Sequence, residues 1–331
     1  MLRTILRWGG RLVAVVVVLI GAFVGYFAMS WQPTFPDTPL PAIEASNDPE
    51  VIARGDYLFN AVAHCSACHS TMEDYVGGGK TVAPSGGHEW HMGPLGTVRA
   101  PNITPDETTG VGSYSDAELA RVIRHGIRKD GRGALFMMSV GPMSDEDLAA
   151  IVSYMRTIEP VKHEVPPSEV GLLGKVLFQT AMDFFAHPHE YQVPPYVPAS
   201  DTASAERGEY LARGPGFCVG CHTKIEGKDG QVAFVEPLLA GRIDPDFPDE
   251  TEPGFRFVAP NLTPHSSGIM HGWTKDQFVK RFRNGRAYPG SAMPWETYRN
   301  MTDADLESVY LYLTSLDGVD HSVGPSRQKV E

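Results

Sequence analysis

Cys65-Ser66-Ala67-Cys68-His69 and Cys218-Val219-Gly220-Cys221-His222 hold all four cysteines of the chain in two copies of one pattern, C-x-x-C-H. At this content of Cys and His, chance placement gives roughly 0.002 such motifs per chain, so two copies that use every cysteine demand a chemical reason. Two thiols three positions apart can add to the two vinyl groups of one haem, and the adjacent His then lies at the iron as its proximal ligand. The spacing predicts covalent haem c at both motifs. Cys65, Cys68, Cys218 and Cys221 would be the attachment points, and His69 and His222 the iron ligands. A disulfide framework leaves the following His unexplained twice. A zinc module needs its two C-x-x-C pairs much closer than Cys68 is to Cys218. A thioredoxin-like redox pair needs a βαβ setting, and none is visible.

Working outward, the chain repeats itself around these motifs. Arg54-Gly55-Asp56-Tyr57-Leu58 recurs as Arg207-Gly208-Glu209-Tyr210-Leu211. Ala100-Pro101-Asn102-Ile103-Thr104-Pro105 recurs as Ala259-Pro260-Asn261-Leu262-Thr263-Pro264, and Met143-Ser144-Asp145-Glu146-Asp147-Leu148 as Met301-Thr302-Asp303-Ala304-Asp305-Leu306. The landmarks keep their order. A helix carrying Tyr57 and Leu58, or Tyr210 and Leu211, runs toward each motif. Ser115 with Glu118, and Thr274 with Gln277, read as capping boxes opening helices that end near Gly126 and Gly285. A last helix opens at Ser144 or Thr302, with acidic residues in its first turn. Its apolar stripe is Leu148, Ile151, Val152 and Met155 in the first copy and Leu306, Val309, Tyr310 and Leu313 in the second. No alternating strand segment of any length stands out. Asn102 and Asn261 are expected to tie their loops by Asx-type hydrogen bonds. Arg99 and Arg256 are candidate partners for haem propionates. His88, His91, His125, His187 and His189 read as surface or hydrogen-bonded side chains, and His64, just before Cys65, is expected to touch the surroundings of the first haem.

Between the copies, Pro166, Pro167, Pro188, Pro194, Pro195 and Pro198 mark a semi-rigid linker. Within it, Leu172 to Ala186 reads as one apolar helix, packed on a domain or lying on a membrane surface. At the N-terminus, Leu12 to Met29 carries no charge. It is about 27 Å long as a helix, enough to cross a bilayer core. Arg3, Arg7 and Arg11 precede it and no Lys or Arg follows before Arg54, which places the rest of the chain outside the cytoplasm. A cleaved signal peptide is the competing reading, with Ala28-Met29-Ser30 as its site. The length of the run favours a retained anchor. With 34 Gly and 27 Pro in 331 residues, short helices joined by long loops are expected for the remainder. The formal net charge of −12 excludes general nucleic-acid binding and suits a body that meets a basic partner surface.

Two C-x-x-C-H motifs, each followed by A-P-N-(I/L)-T-P, a capped helix and a final S-D-E-D-L or T-D-A-D-L helix, resemble tandem class I c-type cytochromes. More closely, the chain is similar to membrane-anchored dihaem cytochromes and the cytochrome subunits of periplasmic dehydrogenases, over residues 50–160 and 205–316. The resemblance implies an all-α fold, with two tandem cytochrome c domains and an N-terminal transmembrane helix. The expected division is a cytoplasmic tip and anchor at 1–30, a Pro-rich tether at 31–48, domain 1 at 49–163, a linker with one helix at 164–204, and domain 2 at 205–331. It also implies a second axial ligand, a Met usually followed by Pro a little before the last helix. Met293-Pro294 fits that pattern. The first copy departs from it: Leu135-Phe136-Met137-Met138-Ser139-Val140 has no Met-Pro. The spacing to Met143 is also shorter; aligning back from Ser144 puts Met138 at the ligand position, with Ser139 in place of Pro, and Met137, a His or an open site as the alternatives. A thioether prefers ferrous iron, raises the potential and fills the sixth position. The expected function is a membrane-tethered electron carrier at the periplasmic face of the inner membrane, more an oxidoreductase subunit than a stand-alone enzyme. It would hold two haems and link a dehydrogenase or quinol-oxidising partner to an acceptor. The alternatives are a haem enzyme acting on a small sulfur or nitrogen compound at the first haem, and a cytochrome subunit of a larger respiratory complex.

Overall fold

A computed structural model describes residues 2–31, 34–77, 82–137, 142–228, 231–249 and 251–330. The chain opens with α1 (Leu2–Met29), whose apolar side chains from Leu12 to Ile20 are mostly exposed. By length and composition its stretch Arg7–Met29 suits a membrane anchor or a signal sequence alike.

The first repeat holds α2 (Pro49–Tyr57), which runs on as one π-helical turn over Leu58–Val62, then α3 (Cys65–His69), α4 (Met72–Gly77), α5 (Asp116–His125) and α6 (Asp145–Met155). The linker carries α7 (Leu172–Leu177). The second repeat holds α8 (Ala205–Arg213), α9 (Cys218–His222), α10 (Lys275–Arg283), α11 (Trp295–Tyr298) and α12 (Asp303–Ser315). The helix starts obey the local rules. Both capping boxes form, Ser115 with Glu118 and Thr274 with Gln277. Ser144 and Thr302 accept from the amides of Asp147 and Asp305, satisfying donors that the first turn leaves open.

The first and last helices of each repeat cross at a glycine. A Cβ on Gly55 would sit 1.9 Å from the Ala150 carbonyl oxygen, and one on Gly208 1.9 Å from that of Ser308. Only glycine permits this approach, which seats α2 on α6 and α8 on α12. The apolar stripes then close a single core that runs through both repeats: Leu148, Ile151, Leu306 and Leu313 are all essentially inaccessible.

A polar exchange joins the repeats. Arg54 pairs with Asp147, and Arg207 holds Asp305 through two hydrogen bonds of 2.9 and 3.1 Å. Each aspartate also accepts a phenol from the other repeat. Tyr57 Oη donates to Asp305 Oδ2 at 2.7 Å and Tyr210 Oη to Asp147 Oδ2 at 2.5 Å. The two tyrosines in turn accept from the amides of Thr302 and Ser144, both at 3.2 Å. The arrangement is reciprocal, residue for residue, so the repeats face each other about an approximate two-fold axis.

The expectation of an all-α chain needs correction. The fold is helix-rich, with 39% of the chain helical, but three small antiparallel sheets are also present among the described residues. They are β1 (Glu89–His91), β2 (Gly96–Arg99) and β3 (Glu169–Val170); the hairpin of β4 (Ile225–Lys228) and β5 (Gln231–Phe234); and β6 (Arg242–Pro248), β7 (Phe255–Ala259) and β8 (Arg327–Lys329). They pair the long loops, whose backbone groups need partners. Most are too short for period-two alternation to show. The linker also differs from expectation. Leu172–Ala186 is two pieces, α7 and a 3-10 turn at Asp183–Phe185, with Phe178 and Phe184 buried. It packs on the first repeat and alongside α1.

Replacing Tyr57 or Tyr210 by Phe removes a buried hydrogen bond to a carboxylate. The expected loss is about 2 kcal/mol of unfolding free energy, read by denaturant titration. Gly55→Ala overpacks the helix crossing and is expected to cost about 1–3 kcal/mol; a neutral result would contradict the close approach.

Candidate functional site

Each C-x-x-C-H motif is a short helix entered through a strained residue. His64 before α3 and Phe217 before α9 both adopt left-handed backbone, with φ of 45° and 49°. Non-glycine residues rarely accept this conformation. Its recurrence at the same place in both repeats indicates that it sets the direction of the motif helix.

The histidine ending each motif is locked the same way. His69 Nδ1 lies 2.9 Å from the Pro101 carbonyl oxygen, and His222 Nδ1 lies 2.8 Å from that of Pro260. A carbonyl only accepts, so each Nδ1 carries the proton and each Nε2 keeps its lone pair. Desolvation pushes His222 down to about 4 and also lowers His69. Both imidazoles are therefore neutral and offer Nε2 as a donor to a metal.

The carbonyl partners are themselves held. The backbone oxygen of His69 accepts from the Gly86 amide at 2.7 Å, and that of His222 from Gly241 at 2.8 Å. Gly86 and Gly241 have φ of 82° and 87°, and a Cβ on either would stand 2.6–2.7 Å from the next asparagine's amide nitrogen. Asn102 Nδ2 donates to Val161 O at 2.7 Å while its Oδ1 accepts from Thr104. Asn261 does the same with Val319 O and Thr263. The expected Asx-type bonds are present. Each asparagine also reaches across to the segment following the last helix, which local sequence did not indicate.

A crevice opens in front of the first motif. Cys65, Cys68 and His69 form one part of its wall, with Leu119, Ile123 and Met155 supplying apolar surface. Met137 stands in the same wall; Met138, the preferred expectation, lies outside the described residues. All four cysteines are unpaired. Desolvation pushes Cys65 and Cys218 up to about 12, and Cys68 to about 11 with a contribution from nearby Cys221. Neutral thiols beside an imidazole in a deep apolar slot suit a flat hydrophobic cofactor attached through carbon–sulfur bonds. No cluster of three or more acidic, His or Cys side chains suited to a bare metal ion occurs among the described residues. The residues present therefore fit haem c.

In the second repeat, Met293 is half-buried against the core. Its loop is gripped by Arg286, which sequence reasoning missed. The Arg286 guanidinium donates to Glu296 Oε1 at 2.8 Å and Oε2 at 2.6 Å, to the carbonyl of Ser291, and to those of Pro289 and Met293 at 3.3 and 3.4 Å. Tyr298 was missed as well. Its hydroxyl donates to Gly216 O at 2.6 Å and lies 3.5 Å from His64 Nδ1. It thus touches the approach to both motifs. Neither residue has a counterpart at the matching place in the first repeat, so the repeat pattern gave no signal for them. Arg99 lines the first crevice but is committed to Glu89 at 2.5 Å and Glu169 at 3.0 Å. Arg256 hydrogen-bonds Gln328. His125 and His189 bond one another through ring and backbone.

The family described as cytochrome C oxidase, cbb3-type, subunit III matches residues 50–155 and again 203–313. The chain belongs to this family. Cytochrome c, haem and electron transport are its terms of reference. The chain is 30% identical over 291 residues to the cytochrome c subunit of a quinone alcohol dehydrogenase from Gluconacetobacter polyoxogenes, covering 84% of this chain and 58% of that protein. It is 30% identical over 299 residues to the gluconate 2-dehydrogenase cytochrome c subunit of Pantoea cypripedii, covering 85% and 63%. A dihaem cytochrome c-type protein of Cereibacter sphaeroides is 25% identical over 289 residues, covering 83% and 91%. The chain thus spans less than two thirds of the length of the first two relatives.

Arg286→Gln leaves Glu296 without its cation in a site where the two side chains are 8% and 13% exposed. The expected cost is about 3 kcal/mol, together with faster proteolysis within 285–300. Unchanged stability and cleavage would show that the clamp does not hold the loop.

Proposed function

We propose that this chain is a membrane-tethered dihaem cytochrome c that carries electrons at the periplasmic face, between a dehydrogenase or quinol-oxidising partner and an acceptor. The observation that carries the reading is the duplicated arrangement of two unpaired thiols and one imidazole whose Nδ1–H is locked to a proline carbonyl. In this reading residues 49–163 and 205–331 are the two cytochrome c domains. Cys65 with Cys68, and Cys218 with Cys221, hold one haem each. His69 and His222 would hold the iron through Nε2, and Met293 would hold it through its thioether in the second domain. In the first domain that role falls to Met137 or Met138, of which Met137 lines the crevice. Haem c supplies a one-electron iron couple.

The protein's own part is positional. The Nδ1–H···O=C bonds fix the tautomer and orientation of each imidazole and raise its basicity. The apolar walls exclude water, and a thioether bound to the iron would leave no place on it for substrate. That arrangement favours carriage over catalysis. The relatives named as cytochrome subunits of dehydrogenases support a dehydrogenase as donor. The net charge of −12 supports a basic docking face on a partner, with association weakening as salt rises. The charge-free run after Arg3, Arg7 and Arg11 supports an anchor in the inner membrane with the bulk of the chain outside the cytoplasm.

Mass spectrometry of matured protein is expected to show two covalent haems; a mass without them ends the proposal. Met293→His is expected to lower one midpoint potential while the other stays in place, and a potential unmoved by the change removes Met293 as a ligand. Carbon monoxide is expected to bind the reduced protein slowly and below stoichiometry. Rapid binding at one haem would instead favour an enzyme acting there.

A further inference from the structure

The linker lies against the end of α1, and this contact bears on how the head meets the membrane. Gln179 follows α7. Its side chain accepts from Ser30 Oγ at 2.8 Å and donates to the Phe27 carbonyl at 3.2 Å. Trp31 meets the buried ring of Phe178 at 6.3 Å between centroids. Phe27 is itself 9% exposed, while its helix neighbours Phe23 and Tyr26 remain 53% and 66% exposed. The last turn of α1 is therefore covered on one side, the side facing the linker.

The level of this contact follows from where α1 stops. The helix ends at Met29, and α7 packs alongside it. Contact with α1 can only be made at or below the height of that last residue. If α1 spans a bilayer, its final turn, with Tyr26 and then Trp31, lies at the headgroup boundary, and α7 lies there too. The first two residues of α7 are Leu172 and Leu173, 45% and 49% exposed. They are held in place: Gly174 packs so closely on the Leu95 carbonyl that a Cβ would sit 2.3 Å from its oxygen, and Gly171 donates to the same carbonyl at 2.9 Å. Two adjacent exposed leucines on a braced helix that packs alongside α1 form an apolar surface with a defined neighbour.

We propose that Leu172 and Leu173 are a second membrane contact. They insert into the lipid boundary beside α1, so that the head is seated on the bilayer rather than swinging on the Pro-rich tether. The occupant of this surface is lipid. The proposal rests on the anchor reading of α1. It also orients the first crevice. Phe136 and Met137 line that crevice, and the Phe136 ring meets Phe178 at 5.8 Å and Phe185 at 4.6 Å. A continuous aromatic contact thus runs from the crevice wall to Trp31, and the first repeat is the membrane-proximal one.

The test uses the full-length haem-loaded chain in phosphatidylcholine–phosphatidylglycerol vesicles. Nitroxide labels are placed singly through Val17→Cys, Leu173→Cys and Ser200→Cys, all at exposed positions, and their collisions with oxygen and with a water-soluble nickel chelate are compared. The expected result is that oxygen dominates at 17 and at 173, while the chelate dominates at 200. Oxygen dominant at 17 with the chelate dominant at 173 overturns the proposal and leaves the anchor standing. The chelate dominant at 17 as well overturns the anchor, and the proposal falls with it. A paired Leu172→Ser, Leu173→Ser variant reads the consequence separately: faster rotation of a label at 200 supports a seated head, and unchanged rotation refutes it.

Discussion

The hydrogen bond from imidazole Nδ1 to a proline carbonyl is the constraint around which each repeat is arranged. It requires a carbonyl at one fixed point beside the motif helix, 2.9 Å from His69 and 2.8 Å from His222. A carbonyl in a long loop stays put only if the loop is fastened on both sides. Gly86 and Gly241 fasten it from within, donating to the histidine's own backbone oxygen in a conformation open to glycine. Asn102 and Asn261 fasten it from outside, reaching the segments after α6 and α12. Both repeats keep this whole chain of bonds although their loops differ in length. The geometry at the histidine is what the loops have in common, and the small sheets absorb the differences.

The second organising feature is the exchange between repeats. Asp147 and Asp305 are almost wholly buried, and a buried carboxylate is tolerated only with several partners. Each has an arginine from its own repeat and a phenol from the other. Unpairing the repeats would strip both carboxylates of one donor at once. The interface is thereby tied to the helix crossing at Gly55 and Gly208, since Arg54 and Arg207 precede those glycines directly. Tyr298, bonded to Gly216 and close to His64, adds a contact beside the motifs themselves. The two motifs are consequently packed against one continuous core.

What the sequence disclosed followed from short-range rules. The motifs, the capping boxes at Ser115 and Thr274, the acidic first turns after Ser144 and Thr302 and the buried stripe through Leu148 or Leu306 each depend on residues within a turn or two. What it concealed depends on distant partners. Strands of two to four residues carry no period, so β1 to β5 left no trace in the alternation. Tyr57 and Tyr210 were visible as a repeated R-G-(D/E)-Y-L, but their carboxylate partners lie 248 and 63 positions away, on the opposite repeat. Arg286 belongs to an unremarkable run of basic residues, and only the folded loop brings Ser291, Met293 and Glu296 around it. Arg99 does line the first crevice, as a propionate partner would, and its pairs with Glu89 and Glu169 were not legible in the sequence.

The departure of the first repeat from the Met-Pro pattern has a structural counterpart. In the second repeat the loop before the last helix closes around Arg286 and Glu296 and leans on the first repeat, with Thr297 bonded to Tyr75 and Tyr298 beside His64. In the first, the residues before Met137 lean on the linker. Phe136 takes left-handed backbone, with φ of 61°, which a bulky residue adopts only under compulsion. Its ring meets Phe178 and Phe185, and the Met137 carbonyl lies near Gly126, where His189 of the linker also packs. The wall of the first crevice is thus backed by a segment that also touches α1, whereas the corresponding loop of the second repeat is braced by the first repeat, and the two copies of the duplicated unit differ in what holds them.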